Sequence, residues 1–132
     1  MHDIVVCLVI DDALLVHDAR AVMERTPFTV CHGAVYTLAP LKGLRLGKGW
    51  NTRVRELLGA AASCTHMVEM LAPMATTAFQ GLAPQRLARI NEPANEAMRK
   101  GKVDSCYAYA ADREVVAQLW LHLHRTKPDS AT

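Results

Sequence analysis

The run Ile4-Val-Val-Cys-Leu-Val-Ile10 constrains the fold more than any other stretch of the chain. Apolar, mostly β-branched residues in a row, closed by Asp11-Asp12, read as a β-strand entering a hairpin turn. Ala13 to Val22 reads as the returning strand, and a two-residue turn pairs Ile10 with Ala13 and Cys7 with Val16. Alternation then puts Val5, Cys7, Val9, Leu14 and Val16 on one face, with Ile4, Val6, Leu8, Ile10 and Leu15 on the other. Both faces are apolar. Such a sheet has to be covered on both sides, by helices or by a second subunit. A homodimer formed at least partly through this hairpin is therefore expected.

The rest of the 132-residue chain is long enough for one core, and 51% of its residues are hydrophobic, so it needs no disulfide staples. One α+β domain over residues 1–125 is expected, followed by a disordered tail at 126–132. The formal charge of +2 gives no indication of nucleic acid or an anionic membrane as partner. No apolar run is long enough to span a bilayer, and Asp11-Asp12 interrupts anything resembling a signal sequence. A cytoplasmic setting follows, in which Cys7, Cys31, Cys64 and Cys106 stay reduced.

Past the hairpin, Pro27 breaks the pattern and Phe28 to Val30 reads as a short third strand delivering Cys31. His32 to Leu41 reads as a short helix stopped by Pro40 and Gly43. Asn51 or Thr52 is positioned to cap a helix carrying Val54, Leu57 and Leu58. The clearest helix begins at Ser63 or Thr65, with Met67, Met70, Leu71, Met74 and Ala78 at helical spacing. Pro73 is expected to kink it rather than end it, and Gly81 to Pro84 to stop it. Residues 85 to 100 read as a ragged helix. Val103 to Tyr109 and Glu114 to Trp120 read as a last hairpin, with a helix over Val115 to Trp120 as the alternative.

Cys64-Thr65-His66 is the most chemically suggestive tripeptide. Just ahead of a helix, residues two apart face one point, and the exposed N–H groups and helix dipole there favour negative charge. That arrangement suits a zinc or iron ligand or, in an enzyme, a Cys64 nucleophile with His66 as its base. The plainer alternative is a buried cysteine beside a solvent-facing histidine, because a structural metal site normally takes four ligands. Between Arg25 and Arg55 there is no acidic residue, while Lys42, Arg45, Lys48, Arg53 and Arg55 accumulate. Gly43, Gly47 and Gly49 leave room for a backbone anion nest before a helix, which fits a non-catalytic module binding a phosphate, a nucleotide, a coenzyme A thioester or a protein partner. A solvated basic loop is the plainer reading. His122-Leu-His124 reads as exposed.

His2-Asp3-Ile4, the hairpin with His17-Asp18-Ala19-Arg20, Cys31, Gly43-Leu44 and Cys64-Thr65-His66 opening a helix together resemble a proteobacterial family of unassigned function. The resemblance covers residues 2 to 120, and it implies no activity. That family carries a further segment before the His-Asp pair, which is expected to cover the first strand. The same order also resembles iron–sulfur scaffold proteins of the NifU and IscU type, with a three-stranded meander, a helix, and a ligand pair opening a long helix. By that resemblance His2 or Asp3, Cys31, Cys64 and His66 converge on zinc or a labile iron site, with Cys106 as an extra ligand. The alternative keeps Cys31 and Cys106 as small buried hydrophobes.

Overall fold

In a computed structural model of the chain, residues 1–126 are described, and the rest of the expected tail lies outside them. The protein is α+β. Two compact units follow one another, Met1–Leu82 and a second beginning at Ala83.

In the first unit, strands β1 (Asp3–Ile10) and β2 (Val16–Arg25) form an antiparallel pair. Their connection is longer than a two-residue turn, and the register differs accordingly. Ile10 pairs with Val16, Cys7 with Arg20, and Val5 with Val22. The reason lies in the turn residues. A two-residue hairpin turn of the commonest type needs positive φ at both positions, which Asp-Asp without glycine resists. Instead the Asp11 carboxylate accepts the N–H groups of Ala13 and Leu15 at 2.9 Å, and Leu14 takes the left-handed conformation at φ 65°. The change of register moves Val16 to the core side and leaves Cys7 exposed, among Val5, Val9, Val22 and Arg20 rather than in core company.

No third strand forms at Phe28 to Val30. Residues Thr29–Leu41 coil as a 3-10 segment that packs along β2 and contains Pro40. The three-stranded meander of the iron–sulfur scaffolds is therefore not reproduced; the sheet has two strands among the described residues. Helix α1 (Trp50–Leu58) starts earlier than expected, with Gly49 as its N-cap at φ 85° in place of Asn51 or Thr52. Helix α2 (Thr65–Gly81) passes through Pro73 as the apolar spacing predicts, burying Met67, Leu71 and Ala75 on one stripe. Its N-cap is Cys64, which makes no side-chain cap bond, and Ser63 just before it has its hydroxyl engaged with Thr37 at 2.6 Å. The core closes among Val16, Met23, Leu38, Leu41, Trp50, Val54, Leu58 and the α2 stripe. The Trp50 indole N–H donates to the Leu71 carbonyl at 3.0 Å, fastening α1 to α2.

The second unit holds α3 (Ala83–Ile90), α4 (Glu96–Lys102) and α5 (Glu114–Leu119). The C-terminal hairpin is not formed. Residues 103–109 are turns, and the helical alternative holds over most of Val115 to Trp120, where Val116 and Trp120 are buried. Arg99 is buried beside Ile90, and its guanidinium donates to the carbonyls of Ile90, Glu92 and Pro93 and to the Glu96 carboxylate. Among the described residues no helix is long and apolar enough to cross a membrane.

Candidate functional site

Helix α2 sets Cys64 at its N-cap and His66 in its first turn. The Cys64 Sγ lies 3.7 Å from His66 Nδ1, so the two residues that were expected to face one point do so. Cys64 is half-buried against the core and His66 is exposed, leaving the pair reachable from solvent. The Thr37–Ser63 hydroxyl contact ties the 3-10 segment to the residue just before Cys64 and fixes the approach to the helix. No sequence pattern pointed to that contact.

His2 joins them from the start of the first strand. Its ring centroid is 4.1 Å from that of His66, with the planes tilted by 35°. Desolvation, and then the neighbouring His66, hold the His2 pKa below the ordinary histidine value, so this ring favours the neutral form. Asp3 pairs with Arg25 one residue further on, and alternation along β1 directs it to the face opposite His2. Of the expected pair, His2 is the one brought to the site.

Cys31 sits in the first turns of the 3-10 segment, half-buried and packed against the core as a small hydrophobe would be. Cys106 belongs to the second unit, in an exposed turn rather than in an added strand. The backbone N–H of Tyr109 foremost lowers its thiol pKa against an opposing desolvation effect, with smaller help from the Ala108 N–H and Lys102. Among the described residues, no three of His, Cys, Asp and Glu converge with a geometry that holds a metal ion. The expected five-residue ligand set is not preassembled in this conformation.

The basic loop is built into the fold. Gly43 N–H donates to the Val16 carbonyl, Val16 N–H to that of Leu44, and Leu46 N–H to that of Leu14, all between 2.8 and 2.9 Å. Gly43, Gly47 and Gly49 all have φ between 85° and 133°, which lets the chain brace the start of β2 and then enter α1. Two of the four expected anion-binding cations are committed within the protein. Arg45 donates to the Ala13 carbonyl, and Arg53 pairs with Glu56 at 2.6 Å. Lys42 and Lys48 are exposed.

A protein-family model described as "Protein of unknown function (DUF2889)" matches residues 1–80. No curated protein and no solved structure matches the chain.

Proposed function

Since the chain belongs to the DUF2889 family, whose matched region contains His2, Cys64 and His66, we propose that this region carries a thiol–imidazole site at the head of α2. In this reading Cys64 is the reacting sulfur and His66 accepts its proton. His2 lies against the His66 ring, tilted to it, and limits its orientation. The observation that carries the reading is the 3.7 Å approach of Sγ to Nδ1 at a helix N-cap open to solvent. A thiol with an imidazole in reach and unpaired helix N–H groups beneath it is the usual arrangement of an activated cysteine.

Zinc or ferrous iron is the second reading, and His2 is what favours it. One sulfur and two ring nitrogens are a donor set that zinc accepts, but the three would have to close further on the ion and a fourth ligand join them. Anion binding through Lys42 to Arg53 has less support, because much of that loop's hydrogen-bonding capacity braces the hairpin.

Alkylation by iodoacetamide, followed cysteine by cysteine with mass spectrometry, tests the proposal. Cys64 should react several-fold faster in the wild type than in His66→Ala across neutral pH, while the rate at Cys106 stays the same in both. Equal Cys64 rates in the two proteins would remove the thiol–imidazole reading. Elemental analysis of the same untagged protein separates the second reading: about one zinc or iron per chain, lost in Cys64→Ser, would favour metal binding.

A further inference from the structure

We propose that the outer edge of β1 pairs antiparallel with the same strand of a second copy of this chain, joining two hairpins into a four-stranded sheet. The proposal rests on the strand and is independent of the chemistry at Cys64.

The two edges of the hairpin are treated differently. The outer edge of β2 is braced at its start by the loop at Gly43 to Leu46, and the 3-10 segment packs along the strand. Among the described residues, no backbone hydrogen bond from another element reaches the outer edge of β1. Proteins protect an edge of this kind with a lysine, a proline, a bulge or an inward-pointing charge. Ile4 to Ile10 contains no charge, proline or glycine. The register shifts at both ends of the pairing place the unopposed residues, His17 and Glu24, on β2. The edge is left fit for pairing.

The side chains agree. On the core side Ile4, Val6, Leu8 and Ile10 are only half-buried, whereas Val16 and Met23 on the neighbouring strand are buried. On the outer side Val5 is 60% exposed, Val9 41% and Val22 57%. An apolar hollow of about 250 Å³ borders the core side of β1, where Leu8 and Ile10 meet Met74 and Ala78.

The occupant is fixed by self-complementarity. A two-fold axis through the sheet at Cys7 sets Val5 opposite Val9 of the second copy, Ile4 opposite Ile10, and Val6 opposite Leu8. Every uncharged residue of the run then meets an apolar partner on its own face. The same axis sets Asp3 opposite Asp11 of the second copy at each end, where Arg25, the cross-strand neighbour of Asp3, and His17, 2.8 Å from Asp11, offset the like charges. A strand pair alone buries less than the roughly 1,200 Å² of a small specific interface. The half-buried core row and the adjoining hollow extend the contact.

Light scattering on the full chain at tens of micromolar tests this. The wild type should have twice the 14.5 kDa chain mass. Val5→Lys combined with Val9→Lys sets like charges opposite one another and should give a monomer. Val5→Lys combined with Val9→Glu sets opposite charges across the same pairs and should restore the dimer. Both changes lie on the solvent face, and circular dichroism checks that each variant is folded. A monomeric wild type overturns the proposal. So does a dimer that survives in the lysine pair, or one that fails to return in the lysine–glutamate pair.

Discussion

Replacing Arg99 with methionine isolates what one buried cation does for the second unit. The methionine keeps most of the stem and its packing but removes the guanidinium. That group donates to the Ile90 carbonyl at 3.0 Å, Glu92 at 2.8 Å, Pro93 at 3.1 Å, and to the Glu96 carboxylate at 2.8 Å. Ile90 ends α3, so the guanidinium satisfies one carbonyl that the helix leaves unpaired at its last turn, and two more in the residues that follow. The Ile90 bond is buried and the others are partly so, which leaves water to replace some of them. An unsatisfied buried acceptor costs about 1–3 kcal/mol, and the pair with the partly exposed Glu96 carboxylate adds little, so the loss should be roughly 1–3 kcal/mol. Native-state hydrogen exchange reads it by region. Protection over residues 83–126 should fall by that amount while protection over 1–82 holds. Arg99→Lys should fall between the two, since an ammonium cannot span three carbonyls and a carboxylate. A change under about 1 kcal/mol, below the range for even one orphaned acceptor, would refute the reasoning, as would equal loss in both units.

The Arg99 bond first, and His122 after it, hold the Glu96 pKa below the ordinary glutamate value, against an opposing desolvation effect. A carboxylate depressed in the fold contributes stability that is complete above its unfolded pKa and is lost as pH falls through the folded one. Thermal melts in the acid range should therefore show the wild type losing stability relative to Glu96→Gln, and parallel curves would contradict this. Asp11→Ala should lower Tm because Ala13 and Leu15 N–H lose their acceptor, and Asp11→Asn should recover most of the loss by keeping an oxygen. Equal Tm values for both variants would mean that the turn does not depend on that acceptor.

Where the chain repeats a period, the sequence was legible. The spacing of Met67, Met70, Leu71, Met74 and Ala78 identifies α2 through its proline, although Ala75 takes a buried place that the spacing does not name, and the β-branched run identifies β1. Where the outcome rests on a single contact, it was not. The Asp11 carboxylate lengthens the hairpin loop and thereby decides which face Cys7 occupies. Val115 and Val116 favour a strand by type, yet they sit in a helix whose cap neighbour Trp120 bonds Asn91 at 2.7 Å. At the site, Cys64 and His66 were legible because they are two residues apart. The partnership of His2 with His66 required the fold, and alternation along β1 chose it over Asp3.

The 3-10 segment between Thr29 and Leu41 is unusually long, since such helices rarely exceed a turn or so. Length-matching offers a reason. β2 runs ten residues, about 30 Å at strand rise, and the chain must return alongside it to hydrogen-bond Gly43 to Val16 at its start. Thirteen residues cover roughly 26 Å as a 3-10 helix but only about 20 Å as an α-helix. The looser winding thus brings the segment nearer to the length of the strand beside it than an α-helix of the same residues would. Recoiling it would pull the brace off the hairpin or draw Thr37 away from Ser63, so the setting of Cys64 depends on how tightly a distant stretch of backbone is wound.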